Sequence, residues 1–225
     1  VLRRLDETPE IPGLVGAAQA AAATRRSLGP RSLREALKAP GPSLIAECKK
    51  ASPSAGVIRS DFDPEALARA YVAGGARAVS VVTEPDHFQG DPEWLALVRR
   101  AVPVPVLRKD FIVAPRQLYE ASVLGADAVL LIARLLDNEK LAELLSIAGE
   151  LELEVLLEIF TDEDPAPAID SGAPILGVNS RNLATFEKRL DRMEELAGEL
   201  PADRVRVAES GLQGPEDIRR FAAVR

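Results

Sequence analysis

A chain of 225 residues with 47% hydrophobic and 28% charged residues can bury one large core and lies far from the composition of a disordered chain. Its formal net charge of −7 repels polyanions, which sets nucleic acid and anionic membrane aside as partners. The single cysteine, Cys48, permits no disulfide within the chain, and no apolar run reaches the roughly 18 residues of a membrane span, so the expectation is a cytoplasmic protein.

The first residues, Val1-Leu2-Arg3-Arg4-Leu5-Asp6, lack the apolar core of a secretion signal, and a start at Val suggests that the sequence begins inside its gene product. Residues 1–40 read as a helical extension. Ala17 to Ala23 is Ala-rich and Ser32 to Lys38 is a second helical stretch, with Gly29 and Pro30 breaking the chain between them. Leu14, Val15, Leu28, Leu33 and Leu37 are the apolar contacts expected to dock it on the rest.

From Pro42 onward, aliphatic runs alternate with amphipathic stretches. The runs are Leu44–Cys48, Ala78–Val82, Val104–Leu107, Ala128–Ile132, Val155–Ile159, Ile175–Val178 and Val205–Ala208. Near-continuous apolar runs fit parallel strands covered on both faces. Asp63-Pro64-Glu65 and Asp91-Pro92-Glu93 each combine a capping Asp, a first-turn Pro and an acid at the positive helix end. Gly75, Gly125 and Gly172, each followed by Ala, sit where helices stop before the next strand and suit a left-handed cap. Strands alternating with helices predict a parallel α/β sheet, either a closed barrel or an open doubly wound one. No Gly-x-Gly-x-x-Gly follows the first strand, which speaks against a dinucleotide site.

In such folds ligands bind at the carboxyl ends of the strands. Polar residues gather there: Glu47 and Lys49, Thr83 and Glu84, Lys109 and Asp110, Glu158, then Asn179, Ser180 and Arg181, then Glu209, Ser210 and Gly211. Glu47 and Lys49 are two apart and share a strand face. One charge at a strand end is ordinarily a solvated loop residue; its recurrence on nearly every strand is not. Glu47, Lys49, Lys109, Glu158 and Glu209 can pair as a ring that shifts pKa values for proton transfer. His87 is the only histidine, so no His cluster for metal exists, and lysines in the same mouth oppose a carboxylate-held Mg²⁺. Cys48 alternates with Glu47 and Lys49 and should face the helices. Trp94 and Met193 read as packing, and Glu150, Glu152 and Glu154 as a solvated helix end and the lead into a strand.

Five segments resemble the indole-3-glycerol phosphate synthase family. They are Ile45-Ala46-Glu47-Cys48-Lys49-Lys50-Ala51-Ser52-Pro53-Ser54, Ser80-Val81-Val82-Thr83-Glu84-Pro85 with Phe88-Gln89-Gly90, Leu107-Arg108-Lys109-Asp110-Phe111-Ile112, Gly177-Val178-Asn179-Ser180-Arg181-Asn182-Leu183, and Val207-Ala208-Glu209-Ser210-Gly211. The resemblance implies a (βα)8 TIM barrel forming one domain over 1–225, with units one to seven in residues 41–225. It implies conversion of 1-(2-carboxyphenylamino)-1-deoxyribulose 5-phosphate to indole-3-glycerol phosphate by ring closure, decarboxylation and dehydration, in tryptophan biosynthesis. No metal or organic cofactor is implied. The expected partner is a small phosphorylated substrate, and the expected assembly is a monomer.

Carried over by motif, the resemblance makes Lys109 the acid that protonates the ketone oxygen and Glu158 its partner acid/base in dehydration. Burial is expected to loosen the proton of Lys109. Lys49 holds substrate anions and Glu47 orients it. Asn179 and Glu209 bind substrate hydroxyls and steady the lysines. Arg181 lies near the anthranilate carboxylate, while Ser52, Ser210 and Gly211 contact substrate or phosphate. Phe88, Phe111 and Leu130 wall the aromatic ring. The family pattern continues past Arg225 with an eighth strand, a Gly-Ser or Gly-Thr phosphate loop and a last helix. Its eighth unit is therefore expected outside this sequence, and seven strands alone leave the first and seventh with open edges. The rival functions are another sugar-phosphate barrel such as phosphoribosylanthranilate isomerase, a Schiff-base aldolase using Lys109, and a non-catalytic barrel. The isomerase does not account for Glu-x-Lys on the first strand together with Lys-Asp-Phe on the third.

Overall fold

The alternating pattern folds as strand–helix units. The computed structural model describes residues 11–160, 164–180, 189–212 and 214–222. Its main sheet has seven parallel strands, paired in chain order: β1 (Ile45–Cys48), β2 (Ala78–Val82), β3 (Val106–Lys109), β4 (Ala128–Ile132), β5 (Glu154–Ile159), β6 (Ile175–Asn179) and β7 (Val205–Glu209). In a flat sheet, β3 and β7 would stand about 19 Å apart, four strand spacings. Instead the Lys109 ammonium at the end of β3 meets the Glu209 carboxylate at the end of β7 at 2.8 Å. The sheet is therefore curled as in a TIM barrel, with β1 and β7 as its two edges. β7 is half-exposed along its whole length.

Period-two alternation sorts each strand. Leu107, Leu130, Leu156 and Ile175 point inward and pack as an inner cluster. Val79, Val81, Val129, Leu131 and Leu157 point outward against the helix layer. Each fully buried aliphatic side chain contributes about 1.5–3 kcal/mol. Cys48 is fully buried on the outer side, as its alternation predicts. Met193 is buried and Trp94 packs on Phe62, so both serve packing.

Helices α1 (Leu14–Leu28) and α2 (Leu33–Lys38) form the extension. Outside the barrel strands run α3 (Pro64–Ala73), α4 (Pro85–Phe88), α5 (Glu93–Ala101), α6 (Pro115–Val123), α7 (Asn138–Glu150), α8 (Pro165–Asp170), α9 (Leu190–Glu199) and α10 (Pro215–Ala222). The Asp63 carboxylate accepts from Ala66 N–H at 3.0 Å at the start of α3. At α5 the helix begins at Glu93, one residue later than expected, so Pro92 is the cap position and Asp91 before it accepts from Glu93 N–H at 2.9 Å. Gly75, Gly125 and Gly172 take φ of 96°, 85° and 77°, the left-handed conformation expected of them.

Some boundaries differ from the sequence expectation. The third strand begins at Val106, not Val104, because Pro105 has no N–H to give a ladder. It then runs through Lys109, just as the sixth and seventh run through Asn179 and Glu209, so these polar residues are strand residues in fixed register. The extension docks through Leu33 and Leu37, two of the predicted aliphatics, and in α1 through small residues instead. Leu28 and Val15 are 81% and 46% exposed, while Ala18 and Ala22 are buried against α6. Buried Arg25 donates to Ser122 O at 2.8 Å and Leu151 O at 2.7 Å. Leu33 of α2 is fully buried in the inner cluster and stops the N-terminal end of the barrel. Glu154 is not a solvated acid: it accepts from Ser32 Oγ at 2.7 Å and from Arg34 N–H at 2.9 Å, capping α2. Glu152 pairs with Arg26 at 2.5 Å. Among the described residues no helix is long and apolar enough to cross a membrane.

Candidate active site

Alternation places a polar layer directly above the apolar interior, at the carboxyl ends of the strands. Lys109 ends β3, Glu158 is next to last in β5, and Asn179 and Glu209 end β6 and β7, paired in register. The Lys109 ammonium lies 2.8 Å from Glu209 Oε2 and 3.5 Å from Glu158 Oε2. The Asn179 side chain hydrogen-bonds Glu158. Glu47 on β1 is paired with Lys49 just beyond the strand. Five of the ring residues expected from the sequence, with Asn179, thus converge on one mouth.

The groups set one another's charge. Burial works against the Lys109 ammonium, but Glu209, Glu158 and Glu47 outweigh it and raise its pKa above that of an ordinary lysine. This corrects the expectation that burial loosens its proton: three carboxylates stabilise the cation more than desolvation opposes it. Glu158 is 2% exposed. Burial and the adjacent Glu209 charge push its carboxyl up to about 7, against the pull of Lys109 and Asn179. Burial also acts to raise Glu47, yet Lys109 and Lys49 hold it below the usual carboxylate range. Glu47 and Glu158, two carboxyls of one ring, are therefore pushed apart in proton affinity.

The remaining predicted residues fall around this centre. The Phe88 ring at the end of α4 and the Phe111 ring in the loop after β3 pack with centroids 6.3 Å apart, tilted by 52°. Leu130 is 2% exposed in the inner cluster, in register with Leu156, two residues before Glu158 on the neighbouring strand. Ser52 is buried in a short ladder of Ala51–Ser52 with Gly56–Val57, and its hydroxyl accepts from Ala55 N–H at 3.2 Å. Ser210 and Gly211 follow Glu209 with φ of 65° and 75°, and Ser210 is exposed. The Ser210 carbonyl accepts from Ser180 Oγ at 3.1 Å. Arg181 lies outside the described residues, as do Asn182 and Leu183.

Two of the polar strand ends turn to other tasks. The Glu84 carboxylate is 3% exposed and accepts from Asp86, His87 and Phe88 N–H at 2.7–3.1 Å, capping α4 and fixing the backbone that presents Phe88. Thr83 and Asp110 bond each other at 2.7 Å. One contributor escaped sequence reasoning: Gly177, inward-facing between Glu158 and Val207 in register. A Cβ there would lie 2.1 Å from Glu209 Oε1. A glycine inside an apolar strand run, a sign of close approach, is the signal that could have found it.

A curled parallel sheet with lysines and carboxyls of divergent proton affinity at its C-terminal mouth defines an α/β-barrel enzyme of acid–base chemistry. The family model for indole-3-glycerol phosphate synthase matches residues 2–225. The indole-3-glycerol phosphate synthase of Azospirillum brasilense is 48% identical over 194 residues, covering 86% of this chain and 74% of that one. That of Salinibacter ruber is 52% identical over 193 residues, covering 85% and 72%. The chain belongs to the indole-3-glycerol phosphate synthase family, carboxy-lyases of tryptophan biosynthesis. In fold it is also similar to the thiamine phosphate pyrophosphorylase of Pyrococcus furiosus, with TM-score 0.61 at 17% identity over 86% of this chain and 84% of that one.

Proposed function

We propose that this mouth closes the pyrrole ring of 1-(2-carboxyphenylamino)-1-deoxyribulose 5-phosphate, with Lys109 as the proton donor. The observation that carries this reading is the Lys109 ammonium held between Glu209 at 2.8 Å and Glu158 at 3.5 Å. As the carboxylate-bearing ring carbon attacks the ketone carbon, the ketone oxygen gains negative charge and takes the Lys109 proton. A raised pKa does not prevent this, because the developing alkoxide is more basic than an amine. Loss of CO₂ returns its bonding pair to the ring and restores aromaticity. Glu158, which its pKa of about 7 keeps partly protonated at neutral pH, gives its proton to the departing hydroxyl. As a carboxylate it then removes the proton from the adjacent ring carbon, so water leaves and the acid is regenerated.

Glu47 orients Lys49 for the substrate anions, Asn179 and Glu209 hold hydroxyls and steady the lysines, and Phe88 and Phe111 flank the aromatic ring. Ser52, Ser210, Gly211 and Arg181 complete the contacts to phosphate and carboxylate, and Leu130 joins the two phenylalanines in walling the ring. The substrate is small and phosphorylated, and no cofactor or metal takes part. We read the protein as a cytoplasmic monomer whose residues 1–225 form one domain, with barrel units one to seven over 41–225.

Lys109→Met tests the core of this reading. Indole fluorescence should fail to appear, while substrate binding, followed by quenching, stays within about tenfold, or roughly 1.4 kcal/mol. Normal turnover in that variant removes Lys109 from the mechanism.

A further inference from the structure

Behind Lys109 lies a group of polar side chains that the proton transfers leave unused. Alternation turns Arg108 to the helix side of β3, where it is 3% exposed. A buried guanidinium is costly unless its donors are filled. Here Nε donates to Thr83 Oγ1 at 3.2 Å, Nη1 to Gln117 O at 2.8 Å, and Nη2 to Asp110 Oδ2 at 3.0 Å. The Thr83 hydroxyl in turn donates a hydrogen bond to Asp110 Oδ2 at 2.7 Å.

The same residues grip the backbone of the β3–α6 loop. Thr83 N–H donates to the Lys109 carbonyl at 3.1 Å. Asp110 Oδ1 accepts from Phe111 N–H at 2.8 Å. Gln117 Nε2 donates to the Phe111 carbonyl at 2.8 Å, and its Oε1 accepts from Val113 and Ala114 N–H at 2.9 and 3.1 Å. The Lys109 carbonyl and both backbone groups of Phe111 are thus tied to one buried network.

Stability alone does not call for such a device, since well-packed apolar residues often replace a buried ion pair without loss. Apolar packing does not hold individual loop N–H and C=O groups in fixed directions, as this network does. Chemistry at the mouth needs that, because a misplacement of about 1 Å can cost about 100-fold in rate. We propose that Arg108, Asp110, Thr83 and Gln117 are positioning residues: Thr83 and Arg108 aim Lys109, and Gln117 with Asp110 sets Phe111 against the substrate ring. The inference rests on Lys109 as proton donor and Phe111 as ring wall.

The test compares Thr83→Val, isosteric but lacking the hydroxyl, with Thr83→Ser, which keeps it, in the full-length protein with 1-(2-carboxyphenylamino)-1-deoxyribulose 5-phosphate well below the melting temperature. Thr83→Val should lower kcat about tenfold or more with KM within about threefold, and Thr83→Ser should restore kcat to within about threefold of the unaltered protein. Gln117→Glu keeps the acceptor and loses the donor to Phe111. It should raise KM several-fold with kcat little changed, and it serves alone if Thr83→Val does not fold. A Thr83→Val or Gln117→Glu protein that melts lower but keeps both constants within about twofold assigns the network to stability and overturns the proposal. Equal loss of kcat in Thr83→Val and Thr83→Ser overturns it too. Lys109→Met, run in parallel, separates the layers: turnover surviving there sinks the proton-donor reading and the aiming of Lys109 with it, whereas an inactive Lys109→Met beside a fully active Thr83→Val sinks the positioning alone.

Discussion

Placing one methyl group at position 177 should disable the Lys109 site without altering any of its charges. Gly177 faces inward on β6, and the Cβ of an alanine there would stand 2.1 Å from Glu209 Oε1 and 3.2 Å from both Glu209 Cδ and Leu156 Cδ1. Contacts under 3.0 Å are not sustained by real Cβ atoms, so Oε1 must retreat by about 0.9 Å. That carboxylate is not free to swing, because its other oxygen receives the Lys109 hydrogen bond at 2.8 Å. A charge-assisted bond of this kind is worth about 1.5–3 kcal/mol. Losing it while displacing the donor should lower kcat about 10- to 100-fold. Overpacking adds about 1–3 kcal/mol of destabilisation, visible as a lower Tm of a still folded protein. Indole fluorescence reports turnover, and circular dichroism reports melting. In a Glu209→Ala background the struck atom is gone, so adding Gly177→Ala should cost under about threefold more. A Gly177→Ala enzyme within about threefold of normal, or losses that multiply in the double variant, would refute the reasoning.

Glu158 predicts a stability slope. Its pKa rises from 4.5 to about 7 on folding, so the neutral form is favoured in the fold. The associated stability is fully present below about pH 4.5 and is lost as pH rises through about 7, roughly 3 kcal/mol at most. Denaturant titrations from pH 5 to 8 should show this loss in the unliganded protein and a flatter profile in Glu158→Gln; equal slopes contradict it. Leu33→Ala opens the stopped end of the barrel beneath a fully buried side chain and should cost about 2–5 kcal/mol, read from the same titrations. Cys48 is buried, and burial with the nearby Glu47 charge pushes its thiol up to about 12. At pH 8 it should resist a thiol reagent in the native protein and react once in denaturant; rapid native labelling would contradict its burial.

The polar layer was legible because a strand has period two: once the apolar runs are placed, Glu47, Lys49, Lys109, Glu158 and Glu209 must share the inner face. Pairings across the barrel were not. Lys109 meets Glu209, 100 residues away, only because the sheet curls. Arg108 shows the complementary blindness. A charge on the outer face of a buried strand carries no functional pattern, and its partners Thr83 and Gln117 lie 25 and 9 residues off in different elements. The extension was legible as helices and in Leu33 and Leu37 of α2, but not in the contacts of α1, since Leu28 suggests docking by size while Ala18 and Ala22 dock by allowing close approach. Pro105 displaced the third strand for a covalent reason that was present in the sequence.

Charge matching at the mouth makes one more demand. Glu47, Glu158 and Glu209 face Lys49 and Lys109, so with Glu158 neutral the remaining carboxylates and ammoniums balance. A substrate bringing a carboxylate and a phosphate adds negative charge and draws the lysines toward itself. Both effects favour the neutral form of Glu158 further. As Glu158 must hold a proton to release the hydroxyl, rates should fall on the alkaline side. The limb of kcat/KM reports the free enzyme and should lie near pH 7, while the limb of kcat reports the complex and should lie higher. In Glu158→Gln the residual rate should lose that limb. Steady-state indole fluorescence across pH 6 to 9 measures both. A kcat limb at or below that of kcat/KM would mean that the bound anions are compensated by other cations, and that Glu158 does not feel the substrate it is meant to protonate.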